Sequence, residues 1–205
     1  MKRKFMICLL FVGVLLIVFT ASFAENQEEQ WSDYDIFVTE EFEFGYRVSP
    51  EGNVRIESFF RKVNLKTFSV SSSYQNGKLK DIEIAFPDEI HGKPVTEIAP
   101  FLLMNISTPT SIILPKHLLV IGGYAFSRCS RLAKEVVIPE KTEVIEAYAF
   151  SSCPELKSVV IPETVQRIEE GAFTDCPRLV LTVVPASCGE AYAIASSIPY
   201  VCQEE

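Results

Sequence analysis

Residues 158–180 read SVVIPETVQRIEEGAFTDCPRLV, and the same order of residue types returns along the chain. Each copy begins with a short run of β-branched residues that ends at a proline. In three of the copies an isoleucine follows six residues after that proline, and an Ala-Phe pair and a cysteine come next. Several positions that agree in one register are a strong indication of stacked structural repeats.

The prolines define the period of the repeat. They recur at intervals of 24, 23 and 23 residues, at Pro115, Pro139, Pro162 and Pro185. The aromatic and thiol positions keep the same register, at Phe126, Phe150, Phe173, Cys129, Cys153 and Cys176. A degenerate earlier copy begins at Ile82, and its proline stands 28 residues before the next one because the loop after it is longer. The repeats therefore span residues 82–186.

One such unit cannot bury its apolar face alone, so neighbouring units must stack into a solenoid with continuous interior ladders. We expect about five short parallel strands joined by helical or 3₁₀ turns, with the phenylalanine and cysteine positions in the structural ladder. The interior set of one unit is Val159, Ile161, Val165, Ile168, Ala172, Phe173, Cys176 and Leu179.

At these residues a family resemblance becomes visible. Residues 161–168 followed by 171–176 resemble the BspA-type leucine-rich repeat of bacterial surface proteins. Residues 86–98 are similar to the family's first repeat, and residues 187–201 to its usual C-terminal end. The resemblance implies a leucine-rich-repeat solenoid of the α/β type that is mainly β. It also implies export or surface display, with roles in adhesion and protein binding.

The first residues predict a secretory signal. A Lys-Arg-Lys cluster precedes an apolar run over residues 5–19, and small residues at Ser22 and Ala24 form a cleavage site. The run is shorter than the roughly 20 residues of a membrane span, although an uncleaved anchor stays open as an alternative. We assign residues 1–24 to the signal peptide and 25–40 to a flexible N-terminal segment.

Both ends of the solenoid need caps. Alternating apolar residues on either side of Pro50-Glu51-Gly52 predict a β-hairpin, which makes residues 41–81 an N-terminal β cap with an insertion at 61–80. That insertion contains Asn76-Gly77 and forms either a loop or a second hairpin. Residues 187–205 form a helix-strand C-terminal cap, because Ser187 with Glu190 three residues later is a capping-box pattern. Within this cap Cys188 and Cys202 pair in a disulfide or remain two free thiols.

Composition argues against several kinds of function. The formal charge is −8, and signal cleavage makes it more negative, so nucleic acid and anionic membranes are poor partners.

The repeat cysteines run in parallel inside the core and lack the convergent geometry of a metal site. The two histidines, His91 and His117, have no metal-ligand or nucleophile spacing. No phosphate loop, dinucleotide motif or nucleophile elbow is present, so we expect no enzyme activity and no cofactor.

The outward side of the strands carries the candidate binding residues. If Val159 and Ile161 point inward, the residue between them points outward, because side chains alternate along a strand. The predicted partner-binding stripe is Ala85, Ile113, Val137, Val160 and Val183. Strand propensity alone would also place β-branched residues there, so the stripe has a purely structural alternative.

These observations lead to a functional hypothesis and two alternatives. The first is a secreted or surface-associated, non-catalytic module that binds an unknown protein of the host or the cell envelope. The second is a self-associating structural component of the envelope. The third is a glycan-binding module that uses loop aromatics such as Tyr124 and Tyr148, although packing between repeats is the simpler role for these rings.

Overall fold

The computed structural model describes residues 31–61, 74–75, 78–79, 81–107 and 109–203. The predicted signal peptide lies outside the described residues. The strands of the N-terminal region are β1 (Asp35–Val38), β2 (Phe42–Val48), β3 (Val54–Arg61), β4 (Tyr74–Gln75) and β5 (Lys78–Leu79).

The repeat region contains ten short strands, and the chain ends with a helix and one more strand. The strands of the repeats are β6 (Glu83–Ala85), β7 (Glu89–Ile90), β8 (Lys93–Ile98), β9 (Ser111–Ile113), β10 (Val120–Ile121), β11 (Val136–Val137), β12 (Val144–Ile145), β13 (Ser158–Ile161), β14 (Arg167–Ile168) and β15 (Val180–Val183). The C-terminal elements are α1 (Cys188–Ala195) and β16 (Tyr200–Cys202).

The fold is the mostly-β solenoid that the repeat predicts, with about five coils and one helix in the described residues. Each coil supplies one strand to a first ladder, made of β6, β9, β11, β13 and β15. After the proline turn it supplies a strand to a second ladder, made of β8, β10, β12 and β14. All neighbouring strands that pair within these two ladders are parallel.

The second ladder was not predicted, and the connection after it in each coil is a tight turn rather than a continuous helix. The turn in each coil holds two residues at positive φ. The first position is Phe101, Tyr124, Tyr148 and Gly171, and the second is Asn105, Arg128, Ser152 and Asp175. Because L-residues do not continue a right-handed helix through the left-handed region, each turn stays a turn.

The core lies between the two ladders and the turns. Phe126, Phe150 and Phe173 are buried and stack face to face, with ring centroids 5.0 and 5.4 Å apart. Val159 and Ile161 point inward from β13 and are fully buried. Of the interior set of that coil, Ile168 and Cys176 are half-buried rather than enclosed, and the other members are buried.

The N-terminal cap is a hairpin of β2 and β3 that extends the second ladder. Strand β3 runs parallel to β8, with Ile56 opposite Ile98, and both side chains are fully buried. Strand β1 pairs with β2, so part of the 25–40 segment that we expected to be flexible is a strand. Strands β4 and β5 pair antiparallel, so part of the insertion forms a second hairpin rather than a loop. The rest of that insertion lies outside the described residues.

The C-terminal cap follows the predicted helix and strand. The Ser187 hydroxyl accepts the Glu190 N–H at 3.3 Å, and the Glu190 carboxylate accepts the Ala186 N–H at 2.7 Å. Gly189 lets helix α1 lie directly against the last strands, since a Cβ there would be 3.2 Å from Ile161 and Val183. Strand β16 then pairs with β15. No helix among the described residues is long and apolar enough to span a membrane.

Candidate protein-binding surface

The structure places the five predicted stripe residues in different environments. Ala85 is exposed, Ile113 and Val137 are 50% and 56% exposed, and Val160 is half-buried. Val183 is fully buried, so its inclusion in the stripe was wrong.

The register of strand β15 explains this error. Ile161 pairs with Val183 and Val160 pairs with Thr182, so the outward residue of β15 is the threonine. An extra residue, Val184, separates the strand end from Pro185, and alignment on the prolines therefore shifts the strand by one. A shift of one residue moves every side chain of a strand to the opposite face.

Ile113 and Val137 come together at an interruption of the first ladder. Phe86 N–H donates to the Ile113 carbonyl at 3.0 Å, and Ile138 N–H donates to the Val160 carbonyl at 3.0 Å. The corresponding bond from Leu114 to Val137 is missing within the described repeats, and β9 and β11 do not pair. The two strands flank a groove of about 650 Å³ with both exposed side chains in its wall.

Charged residues surround this apolar groove. Lys116 and Lys134 lie on its wall together with Glu135 and Glu140. Both lysines pair with carboxylates of the first coil, Lys116 with Asp88 at 3.2 Å and Lys134 with Glu83 at 3.6 Å. An apolar centre with a charged rim is the usual anatomy of a protein-binding patch.

The Asp88 carboxylate also accepts the Lys116 backbone N–H at 2.8 Å. This hydrogen bond lowers the pKa of Asp88, so the carboxylate remains charged at neutral pH. The rim therefore keeps the ion pair between Asp88 and Lys116 at neutral pH.

The three repeat cysteines occupy one column of the core. Each thiol points to a carbonyl of the preceding coil, with Sγ to oxygen distances of 3.4, 3.2 and 3.1 Å. The pairs are Cys129 with Leu103, Cys153 with Phe126 and Cys176 with Phe150. These contacts make the cysteines part of the packing between coils.

Burial also suppresses the reactivity of the inner thiols. It raises the pKa of Cys129 to about 12, and the neighbouring Cys176 thiol together with burial raises the pKa of Cys153. A thiol is nucleophilic only as the thiolate, so neither inner cysteine is poised for chemistry at neutral pH.

The raised pKa of Cys129 predicts a loss of stability at alkaline pH. The folded state holds the proton up to about pH 12, whereas the unfolded thiol releases it near 9.0. The contribution is therefore complete below pH 9 and falls as the pH rises through this window. Relative to Cys129→Ala, the wild type should lose about 2 kcal/mol of unfolding free energy between neutral pH and about pH 10.5, measured by urea denaturation. A constant difference between the two proteins would show that the folded pKa is not raised.

The predicted disulfide of the C-terminal cap is absent, and both Cys188 and Cys202 are free thiols. The Cys202 sulfur instead lies 3.7 Å from the Glu190 carboxylate. That carboxylate also accepts the Ala186 N–H. The cap is therefore held by hydrogen bonds and apolar packing, which favours the alternative of two free thiols.

The histidines have separate structural contacts. His91 packs edge-on against Phe37, with ring centroids 5.9 Å apart. The Nδ1 atom of His117 is 3.3 Å from Lys141 Nζ, and its Nε2 atom is 3.9 Å from Glu89. Neither ring is placed against a cysteine by these contacts.

Loop aromatics form a second stack on the surface. Phe101, Tyr124 and Tyr148 stack in sequence, with centroids 5.3 and 5.0 Å apart. The tyrosines pack between repeats, as their spacing indicated, while Phe101 is 58% exposed at the end. Phe101 was not predicted to join this stack, although it precedes Leu103 by the same two residues that separate Tyr124 from Phe126.

Comparison with known proteins identifies the class of this solenoid. Residues 96–194 match the BspA type leucine rich repeat region in six copies. The structure is similar to that of a leucine-rich repeat protein from Bacteroides capillosus, with 18% identity and a TM-score of 0.52. That match covers 71% of this chain and 97% of the other. The repeats over residues 96–194 belong to the BspA-type leucine-rich repeat family.

Two further solved structures are similar to the chain. A leucine rich cell surface protein from Faecalibacterium prausnitzii has 21% identity and a TM-score of 0.48, covering 74% of this chain and 40% of that one. A T. pallidum Leucine Rich Repeat protein has 27% identity and a TM-score of 0.46, covering 68% of both chains. No curated protein sequence matches the chain.

Proposed function

We propose that this protein is an exported, non-catalytic module that binds another protein through the groove between β9 and β11. The observation that carries the proposal is the interruption of the first ladder, where Ile113 and Val137 are both about half exposed. Elsewhere the outward row is less exposed or less apolar, with Val160 half-buried in β13 and Thr182 in β15. Burial of such a pair against a partner is favourable because it removes apolar area from water.

The groove is suited to an apolar side chain of the partner. Its two walls come from adjacent coils, so a side chain can enter between the strands while the charged rim makes polar contacts. Anchor residues in desolvated pockets contribute most of the binding energy in typical protein interfaces. The charged residues that line the groove, Lys116, Lys134, Glu135 and Glu140, would fix the orientation of the partner.

Two observations support an extracytoplasmic location. The N-terminal sequence has the order of a secretory signal, and the repeats are of the BspA type. The partner would then be a protein of the envelope or of a host.

The double substitution of Ile113→Glu and Val137→Glu tests the groove. We expect at least about tenfold weaker binding of the partner, because two buried carboxylates would replace the apolar anchor contacts. The mature protein would be immobilised and incubated with envelope and host-surface extracts, and retained proteins would be quantified by mass spectrometry. Equal retention by the wild type and the double variant would contradict the proposal.

The matched control is Val38→Glu. Val38 lies on strand β1, is 53% exposed like the two groove residues, and is distant in sequence from the groove. This variant should retain the same proteins as the wild type, and circular dichroism should show that all variants keep their fold. Light scattering after size exclusion distinguishes the alternative of self-association, in which the groove variant would change the mass of the particle rather than the set of retained proteins.

A further inference from the structure

The coils are joined by a regular series of backbone hydrogen bonds along their turns. In each coil the first, third and fifth residues of the turn donate to carbonyls of the next coil. Tyr148 donates to the Glu170 carbonyl at 3.2 Å, and Phe150 and Ser152 donate to the carbonyls of Ala172 and Thr174, both at 2.8 Å. The preceding coils repeat the pattern, with Tyr124, Phe126 and Arg128 as donors.

The last of these turns lies in the coil that begins at β13, and no further turn follows it to receive its donors. The equivalent residues are Gly171, Phe173 and Asp175. The Phe173 N–H reaches the Tyr192 hydroxyl of helix α1 at 3.4 Å, which is longer than an ordinary hydrogen bond. The N–H groups of Gly171 and Asp175 have no acceptor among the residues that the structure describes. The cap thus covers the centre of this row and leaves both flanking donors open.

The open donors face a cleft of about 870 Å³ between the last coil and the cap. Its walls include the rings of Tyr148, Phe173 and Tyr192. The charged residues in the described lining are Glu170 and Asp175, both acidic and both exposed, and no basic residue lines it. Aromatic faces and carboxylates together attract a cation, while backbone N–H groups require an acceptor.

We infer that this cleft binds an extended peptide segment that carries an arginine or lysine side chain. Carbonyl oxygens of the segment accept the N–H groups of Gly171 and Asp175, as the next coil would. The basic side chain lies between the carboxylates and the tyrosine rings. This is main-chain recognition of the kind in which a peptide extends an existing array of backbone hydrogen bonds.

Two other occupants fit the cleft less well. A free anion would satisfy the N–H groups, but Glu170 and Asp175 would repel it. A whole coil of a second copy would continue the hydrogen bonds, but Tyr192 and helix α1 already pack against the last coil, with the Phe173 and Tyr192 rings 6.0 Å apart. A narrow segment avoids both conflicts. The site is separate from the groove between β9 and β11, so either proposal can fail alone.

Charge reversal at the cleft tests the inference. The variants are Glu170→Lys, whose side chain is exposed, and Asp175→Arg. The second is compatible with the fold because Arg128 occupies the same turn position at φ 59, against 55 for Asp175. Glu163→Lys is the matched control, since that residue is also acidic and exposed but does not line the cleft.

The probes are capped pentapeptides of alternating alanine and arginine, or of alternating alanine and glutamate, titrated into the mature protein by calorimetry. We expect saturable binding of the arginine peptide, about tenfold weaker in each cleft variant and unchanged in Glu163→Lys. The glutamate peptide should not bind. Amide signals of Gly171 and Asp175 should shift in nuclear magnetic resonance spectra, while those of Tyr124 and Arg128, which are paired inside the solenoid, should not.

Several outcomes would overturn the inference. These are no saturation with the arginine peptide at about 1 mM, equal weakening by the Glu163→Lys control, or unshifted Gly171 and Asp175 amides during binding. The double variant Ile113→Glu and Val137→Glu should bind the arginine peptide as strongly as the wild type does, which separates this site from the groove.

Discussion

Replacement of Phe150 by alanine is expected to lower the free energy of unfolding by about 3–5 kcal/mol. Phe150 is fully buried at the centre of the aromatic ladder and contacts the rings of both Phe126 and Phe173. The truncation removes buried apolar area and leaves a cavity that the flanking coils cannot close without losing their own hydrogen bonds. In a solenoid, stability depends on the interfaces between neighbouring repeats, and this residue belongs to two of them.

The measurement is equilibrium denaturation in urea, with the slope of the transition compared between variants. Phe60→Ala is the control, because Phe60 lies on β3 and is 59% exposed. It should cost less than about 1 kcal/mol, since a largely exposed ring contributes little to the core. A loss of similar size in both variants would show that the aromatic ladder does not stabilise the interfaces between coils.

The aromatic ladder was predictable because its signal is repeated. The phenylalanines recur in one register with the cysteines and prolines, so their stacking follows from the period alone. The family and the mainly-β solenoid followed from the same register, and the hairpin cap followed from the alternation around Pro50-Glu51-Gly52. These features depend on patterns that several positions share, so an error at one position does not change the result.

Features that depend on one coil were not predictable in this way. The interruption between β9 and β11 and the extra Val184 before Pro185 each occur once, and both lie in stretches that resemble their neighbours in sequence. Val183 was assigned outward for this reason, although pairing with Ile161 makes it a core residue. The groove and the open donors of the last coil exist because regular pairing stops there.

The backbone of the turns was also hidden from the sequence. Tyr124 and Tyr148 adopt φ angles of 57 and 58, which residues with a Cβ rarely adopt. In this column of turn residues only Gly171 is of a type that suggests a positive φ. The hydrogen bonds that each turn makes to the next coil hold these residues in place. Tertiary contacts thus override the local preference, and a local analysis predicts a helical turn instead.

The second large effect concerns the contact between the first two coils at Gly122. A Cβ at this position would lie 2.5 Å from the Pro100 nitrogen and 2.6 Å from the Ile98 carbonyl oxygen. Both atoms are backbone, so relief requires the coils to separate. Separation would stretch the hydrogen bond from Gly122 N–H to the Ile98 carbonyl, which is 2.8 Å long. We expect Gly122→Ala to lower the free energy of unfolding by about 3 kcal/mol, measured by urea denaturation.

The neighbouring Gly123→Ala is the matched control. Its Cβ would lie 3.3 Å from the Ala147 carbonyl oxygen, a tight contact that a small shift relieves, so we expect a change within about 1 kcal/mol. Both substitutions reduce the entropy of the unfolded chain equally, so their difference isolates the close approach of the coils. Equal effects of the two substitutions on the free energy of unfolding would contradict the prediction, because they would show that the first coil moves aside to accommodate the Cβ at position 122. Glu146 and Glu169 make the same backbone bond in later coils despite their side chains, so the demand for glycine is specific to the contact of Gly122 with Ile98 and Pro100 of the first coil.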